Sequence, residues 1–211
     1  MKGHLVTFEG IDGCGKSTQA ELLRDFLDER GQDSVLVGEP GGTHISVQIR
    51  NILLNPENRS MNAVTESILF SASRAQLTYE VILPNLEKET TVLCDRFVDS
   101  SLAYQGYGRG LPIEWLKKIN EFATARLVPG ATIFLDIPVR TALERLRGKG
   151  TDRMEKEGDT FLQRVRNGYQ TLARENPERY IVVDGAMNVK LIHRKIVQKL
   201  EKAGSLRKKE R

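Results

Sequence analysis

The stretch from Gly10 to Ser17, GIDGCGKS, is the densest group of residues that could do chemistry in this 211-residue sequence. It fits the pattern G-x-x-x-x-G-K-[ST], in which backbone N–H groups surround an anion, the lysine reaches the β- and γ-phosphates, and the hydroxyl group binds Mg²⁺. An apolar stretch precedes it and an amphipathic one follows, which is the context that the pattern requires. The sequence therefore predicts a nucleoside triphosphate site formed by Gly10, Ile11, Asp12, Gly13, Cys14, Gly15, Lys16, Ser17 and Thr18.

Asp12 is the one acidic residue in this loop. A carboxylate beside phosphates is unfavourable unless a cation or a hydroxyl group meets it. None of the variable loop positions, Ile11 to Cys14, is basic. The loop itself therefore offers no arginine that could neutralise a transferring phosphoryl group.

Two polar stretches follow apolar runs, at places where strands are expected to end. Glu39 and Pro40 open the stretch EPGGT. Asp95 and Arg96 open the stretch DRF, directly after the run TVLC. In phosphate-loop enzymes a carboxylate in the position of Asp95 meets Mg²⁺, and a neighbouring arginine can hold a second phosphate.

Phe70 and Arg74 lie four residues apart in the stretch FSASRAQ, so on a helix they share one face. A flat ring and a guanidinium group on that face can stack on a pyrimidine and donate to its carbonyl oxygen. Taken alone, a phenylalanine in a helix is more often a core residue. The residues alone leave both roles open, a core position and contact with a base.

Five short runs rich in Val, Ile, Leu and Phe predict buried strands at residues 4–8, 34–37, 91–94, 132–135 and 180–183. Helical patterns alternate with them, including a long one from Ser60 to about Glu89 that Pro84 interrupts. Parallel neighbours need such crossovers, so we expect an α/β phosphate-loop fold of three layers, with helices on both faces of a five-stranded parallel sheet. The polar segment at about 147–159 is a candidate mobile lid.

Composition fits a single domain at residues 1–204, followed by a basic tail at residues 205–211. No apolar run approaches the roughly 20 residues of a membrane span. Much of the formal charge of +4 comes from the tail, and no basic stripe with interleaved aromatic residues indicates nucleic-acid binding. Cys14 and Cys94 form neither a disulfide framework nor a zinc site. We therefore expect a cytoplasmic protein that binds neither membranes nor nucleic acid.

Five motifs, in order from about residue 4 to 185, resemble those of thymidylate kinases: the phosphate loop, EPGGT, FSASRAQ, DRF with SSLAYQGYGRG, and DRME. The resemblance implies phosphoryl transfer from ATP to dTMP, giving dTDP and ADP for dTTP synthesis, with Mg²⁺ as cofactor and a homodimer as the assembly. It places Ser17 and Asp95 at the metal. It also implies a dTMP site made of Asp12, Glu39, Pro40, Arg50, Phe70, Arg74, Arg96, Ser101, Tyr104 and Gln105.

Within that implied site, Asp12 belongs near the 3′-hydroxyl of the acceptor and Arg50 near its phosphate. A ring at Tyr104 against the 2′ carbon would leave no room for a hydroxyl group, which would favour deoxyribose. The glycines of GYGRG are expected to let their loop pass close to the ligand.

Catalytic arginines of this family lie either in the phosphate loop or in the lid. Because the loop has none here, the chain resembles the bacterial type with a lid arginine, and we expect Arg147 and Arg153 to act in catalysis with Lys16 and Asp95. One departure concerns Gly38, which stands where the family usually has an arginine before Glu-Pro-Gly-Gly-Thr. Gly38 has no side chain that could make the contact expected of this arginine.

Two other functions stay open from the sequence. One is a different nucleoside monophosphate kinase or deoxynucleoside kinase, which would share the phosphate loop and differ in its acceptor. The other is a nucleotide-dependent switch protein that binds nucleic acid through the basic tail. A switch GTPase would normally carry an N-K-x-D guanine motif, and the sequence has none.

Overall fold

Five parallel strands form the central sheet of the computed structural model, which describes residues 4–147, 153–154 and 157–204. They are β1 (Leu5–Glu9), β2 (Ser34–Gly38), β3 (Thr91–Asp95), β4 (Ala131–Asp136) and β5 (Tyr180–Asp184). The order across the sheet is β2-β3-β1-β4-β5. Each strand lies within one residue of the apolar run that predicted it, so the expected α/β fold is confirmed. Residues 148–152 and 155–156 of the expected lid and the tail at 205–211 lie outside the described residues.

Helices connect the strands and cover the sheet. They are α1 (Lys16–Asp28), α2 (His44–Leu54), α3 (Ala63–Leu77), α4 (Leu83–Glu87), α5 (Val98–Ser101), α6 (Ile113–Ala123), α7 (Val139–Leu146), α8 (Asp159–Glu175) and α9 (Val189–Lys202). In the described ranges, no helix is both long and apolar enough to span a membrane.

The long helical pattern after Ser60 folds as two helices joined by a π-helical turn, Thr78–Ile82. Helix α3 begins later than Ser60 because the side chain of Asn62 accepts a hydrogen bond from the backbone N–H of Thr65 and so caps the helix. Pro84 lies in the first turn of α4, directly after the π-helical turn.

Buried apolar side chains pack on both faces of the sheet. A large cluster includes Leu23 of α1, Tyr169 of α8 and Ile196 of α9, and a smaller one includes Leu77 of α3 and Leu86 of α4. Complete burial of such a side chain contributes about 1.5–3 kcal/mol. These clusters fix the helices against the sheet, and the carboxyl ends of β1, β3 and β4 then meet at one edge.

Two of the glycines of GYGRG, Gly106 and Gly108, serve packing between helices, whereas Gly110 has φ of 82° and open space beside it. The expected approach of these glycines to a ligand stays a prediction. A Cβ atom at Gly106 would lie 2.4 Å from Cδ1 of Ile113, and one at Gly108 would lie 2.7 Å from Cε2 of Phe161. Both glycines belong to a second π-helical turn, Leu102–Gly108. Their small size lets α6 and α8 pack against this turn, which carries Tyr104 and Gln105.

Candidate active site

The phosphate loop joins β1 to α1 as the sequence predicts. Gly15 has φ of 99° and directly precedes α1, which begins at Lys16 without a side-chain cap. A left-handed φ is far more accessible to glycine than to other residues, so Gly15 turns the chain into the helix. The first N–H groups of α1 therefore face the loop and provide a positive site for an anion.

Lys16 and Ser17 connect this loop to its surroundings. The ammonium group of Lys16 donates to the carbonyl oxygens of Gly10 and Ile11, each at 3.1 Å. The hydroxyl group of Ser17 donates to the carboxylate of Asp95, at the end of β3, at 2.6 Å. A hydroxyl and a carboxylate side by side are the kind of oxygen ligands that suit Mg²⁺, which usually takes one or two protein ligands and completes its shell with water and phosphate.

A cleft extends from the phosphate loop toward α7 and α9. Arg145 and Leu146 of α7 line one side, and Arg145 donates to the carbonyl oxygen of Gly13 at 3.3 Å. Gly185, Met187 and Val189 line the other side. The sequence analysis missed these three residues, although their place after β5 is where a parallel sheet binds ligands. We call this space the donor cleft.

A second cavity lies beyond the end of β3, and we call it the acceptor pocket. All ten residues that the sequence assigned to dTMP line it, and so do Leu54, Ser100 and Met154, which the sequence analysis missed. Asp12, Glu39, Arg50 and Arg96 line both the acceptor pocket and the donor cleft. The two spaces therefore meet at these four residues.

Asp12 lies at this junction and is paired with Arg96 at 2.5 Å. The hydroxyl group of Tyr104 also donates to Asp12, at 3.0 Å, and Lys16 lies 3.9 Å away. Burial alone would raise the pKa of Asp12, but the charges of Arg96 and Lys16 and hydrogen bonds from Arg96 and Tyr104 lower it to about 2. Asp12 is therefore an anion at neutral pH, held by a cation and a hydroxyl group.

Glu9 is a fully buried carboxyl group at the end of β1, and it positions Arg96 through partners that the two residues share. Glu9 accepts from the backbone N–H of Phe97 at 2.7 Å and from the hydroxyls of Ser100 and Tyr169, at 2.6 and 2.9 Å. Both hydroxyl oxygens also accept from Arg96. Arg96 has φ of 73°, a strained conformation for a non-glycine residue, and the bond to Phe97 fixes it. Sequence analysis missed Glu9, although a carboxyl group ending a buried strand was a usable signal.

The pKa of Glu9 is raised to about 7, first because burial disfavours the charged form and then because of the negative charge of Asp99. Hydrogen bonds from Ser100 and Tyr169 and the charge of Arg96 oppose this rise of the pKa only in part. Glu9 therefore titrates near neutral pH, whereas Asp12, one loop away, does not.

Arg74 is buried among protein acceptors. It pairs with Glu39 at 2.7 Å, and it donates to Ser101 at 2.8 Å, to the carbonyl oxygen of Phe97 at 3.0 Å, and to Asn120. These bonds join α3 to the loops after β2 and β3. The expected donation to a pyrimidine carbonyl stays a prediction, and a bound base would share Arg74 with these acceptors. Arg50, in contrast, is exposed and donates to the carbonyl oxygen of Pro40 at 2.8 Å.

The two expected lid arginines occupy different places. Arg147 is exposed at the end of α7, next to Leu146 of the donor cleft. Arg153 is buried and forms an ion pair with Glu66 of α3 at 2.7 Å. Neither arginine is among the residues that line the donor cleft, so contact of either with the transferring phosphoryl group stays a prediction.

Comparisons with known proteins agree with this geometry. The family model described as thymidylate kinase matches residues 8–196. A thymidylate kinase of Caldanaerobacter subterraneus subsp. tengcongensis is 46% identical over 95% of this chain and 96% of its own length. One of Kosmotoga olearia is 48% identical over 92% and 93%. A crystal structure of thymidylate kinase from Ehrlichia chaffeensis has a TM-score of 0.78 and 31% identity, over 95% of this chain and 99% of its own.

We predict that the stability of the protein falls, relative to the Glu9→Gln variant, as the pH rises from 4.5 to 8. The native state binds the proton of Glu9 more tightly than the unfolded chain, whose pKa is near 4.5, so stability is lost through the window from 4.5 to about 7. The relative loss is up to about 3 kcal/mol. Urea unfolding of both proteins at several pH values measures it.

Tyr169→Phe is the matched control for this prediction. It removes a hydroxyl group that lowers the pKa of Glu9, so the loss of stability should extend to higher pH. A difference between wild type and Glu9→Gln that stays constant with pH would contradict the assignment of a raised pKa to Glu9.

Proposed function

The chain belongs to the thymidylate kinase family, and we propose that its acceptor pocket and donor cleft carry out the reaction of that family, phosphoryl transfer from ATP to dTMP. One observation supports this most: a single cavity runs from Phe70 on α3 to Asp12 and Arg96, and there it meets the phosphate loop. A flat nucleobase fits one end and a phosphate the other. The products, dTDP and ADP, assign the enzyme to dTTP synthesis.

In the acceptor pocket, we assign the half-buried ring of Phe70 to the thymine base and Arg96 to the phosphate of dTMP. Arg96 presents a planar guanidinium group that suits a phosphate. Tyr104 lies between Asp12 and Arg96, so its ring adjoins the sugar and would exclude a 2′-hydroxyl group. Glu39, Pro40, Arg50, Arg74, Ser101 and Gln105 complete the proposed contacts.

In the donor cleft, we assign the loop from Gly10 to Thr18 to the phosphates of ATP, with Lys16 extending from its present carbonyl partners to them. Ser17 and Asp95 would hold Mg²⁺, because their oxygen atoms already lie together. The ion would neutralise charge on the transferring group when bound. Gly185, Met187 and Val189 form the wall that we assign to adenine.

The transfer needs alignment and charge neutralisation, and it needs no general base, because the phosphate of dTMP is already an anion. We assign Arg147 to the developing charge. It directly follows α7, whose Arg145 donates to the phosphate loop and whose Leu146 lines the donor cleft, and it is exposed. Arg147 and Lys16 together would then neutralise the charge.

The first test is a comparison of acceptors. With ATP and Mg²⁺, release of ADP should be fastest with dTMP and slower with dUMP, dGMP and AMP. Phe70→Ala should raise KM for dTMP about tenfold or more, since base stacking on an aromatic ring contributes about 1–3 kcal/mol, and KM for ATP should stay near wild type. Fastest turnover of a purine monophosphate would overturn the assignment of dTMP. Equal losses for dTMP and ATP would indicate a collapsed core.

For Arg147→Ala we predict a fall in kcat of about 10² with KM for dTMP changed little, because a group that acts on transition-state charge contributes to kcat. Arg140→Ala is the control, since Arg140 lies exposed on the same helix and pairs only with Glu144 in its described contacts. Steady-state kinetics with each substrate varied gives both constants. An unchanged kcat for Arg147→Ala would remove this residue from the mechanism.

We further propose that the protein is a homodimer that pairs through α2 and α3. Large apolar side chains are exposed on both helices: Ile45, Val47 and Ile52 on α2, and Val64 and Ile68 on α3. Such a patch on adjacent helices is typical of an interface. Light scattering should give twice the mass of one chain, and Ile68→Glu should give the mass of one chain. A wild-type protein of single-chain mass would contradict the dimer.

A cytoplasmic location fits the same assignment. Cys14 and Cys94 are both buried free thiols, as expected for a protein of a reducing compartment. The products serve DNA synthesis, which takes place there in bacteria.

A further inference from the structure

Glu66 is a fully buried carboxylate on α3, outside the catalytic contacts assigned above. It lies four residues before Phe70, so the two side chains share one face of the helix. Gln105 donates to it at 2.9 Å, Arg109 at 3.2 and 3.0 Å, and Arg153 at 2.7 Å. Burial alone would raise the pKa of Glu66, but hydrogen bonds from Arg109, Gln105 and Arg153 lower it, so the carboxylate is ionised at neutral pH.

The end of α2 provides two further hydrogen-bond acceptors for Arg153. Its Nε donates to the carbonyl oxygen of Leu53 at 2.8 Å, and its backbone N–H donates to that of Leu54 at 3.3 Å. The last carbonyl groups of a helix attract a cation. Arg109, another partner of Glu66, also forms an ion pair with Glu157 at 2.6 Å. The guanidinium group of Arg153 therefore contacts both the end of α2 and Glu66 of α3.

Met154, which follows Arg153, lies in the acceptor pocket with Leu54 and Phe70. Its sulfur atom lies 3.4 Å from Arg153 Nη2 and 3.7 Å from Arg109 Nη2. Gln105, another partner of Glu66, lines the same pocket. Glu66 thus fixes two wall residues that come from separate parts of the chain.

The base of dTMP belongs at the Phe70 end of the pocket, because Phe70 is the residue assigned to the thymine ring. Phe70 and Glu66 are one helical turn apart, whereas the proposed phosphate contacts, Asp12 and Arg96, lie at the opposite end beside the donor cleft. Met154 lines the same pocket as Phe70, and an apolar thioether suits the flat, partly apolar face of a thymine ring.

We propose that Glu66 is a positioning residue of the acceptor site, which seats Met154 and Gln105 against the base of dTMP through its ion pair with Arg153 and its hydrogen bond with Gln105. The inference rests on the proposed function, because it takes the acceptor pocket as the dTMP site. Arg153 accordingly acts on acceptor binding, and the phosphoryl transfer step does not depend on it.

The test compares Glu66→Gln, Arg153→Ala, Arg153→Lys and Met154→Ala by steady-state kinetics and by calorimetric titration of dTMP without ATP. Arg153→Ala should raise KM and Kd for dTMP about tenfold, with kcat and KM for ATP within about threefold of wild type. Arg153→Lys keeps the charge and should recover part of the loss. Arg30→Ala, which breaks an ion pair with Glu201 on α9, is the control and should leave all constants unchanged.

A double variant tests the connection between Glu66 and Met154. If Glu66 acts by seating Met154, Glu66→Gln combined with Met154→Ala should raise KM for dTMP clearly less than the product of the two single effects. Independent, multiplying effects would overturn the proposal. If Glu66→Gln fails to fold, as its melting curve would show, Arg153→Lys with Met154→Ala replaces that pair.

Two outcomes separate this inference from the proposed function. A fall in kcat for Arg153→Ala at saturating dTMP and ATP, with KM unchanged, would overturn the inference and place Arg153 at the transferring phosphoryl group. Failure of the wild-type protein to phosphorylate dTMP would overturn the proposed function. The variants would then be measured with whichever monophosphate is turned over fastest, and unchanged KM values for it would overturn the inference too.

Discussion

The ion pair between Asp12 and Arg96 is the interaction on which the site depends. It joins the phosphate loop after β1 to the chain that leaves β3, at the point where the donor cleft and the acceptor pocket meet. In the proposed reaction two substrates that both carry phosphate would repel each other here, and the cation of Arg96 would offset that repulsion. Asp12 keeps that cation in place and, as an anion itself, orients it.

Glu9 supports the junction from inside the sheet. It fixes the left-handed backbone at Arg96 through the N–H of Phe97, and it orients the hydroxyl groups of Ser100 and Tyr169 that accept from the guanidinium group. A buried carboxyl group is unfavourable without such partners. Strand β1, the chain that follows β3, and α8 therefore together determine the position of Arg96.

One face of helix α3 carries the residues that shape the end of the acceptor pocket away from Asp12 and Arg96. Glu66, Phe70 and Arg74 follow each other at intervals of four residues. Arg74 fixes the loops after β2 and β3, Phe70 offers its ring, and Glu66 fixes Arg153 and Gln105. The exposed apolar residues of the same helix lie on another face, so pairing of two chains there would also steady the pocket.

Apolar runs in the sequence were enough to locate the strands, because such runs are local properties, and the resemblance of the motifs to those of thymidylate kinases implied ten of the residues that line the acceptor pocket. These signals were not enough for Glu9, Glu66 and Arg153. The partners of these residues lie far along the chain, and only the packing of α3, α5 and α8 brings them together. The resemblance implies a phosphate contact for Arg153, which stays a prediction, and in the structure Glu66, a buried carboxylate that no motif marks, pairs with it.

The most direct test of the account is a crystal structure with dTMP and a non-hydrolysable ATP analogue bound together. The account predicts the thymine ring on Phe70, the phosphate of dTMP at Arg96 beside Asp12, and Arg153 still paired with Glu66. A thymine ring away from Phe70, or Arg153 turned from Glu66 to the triphosphate, would contradict it.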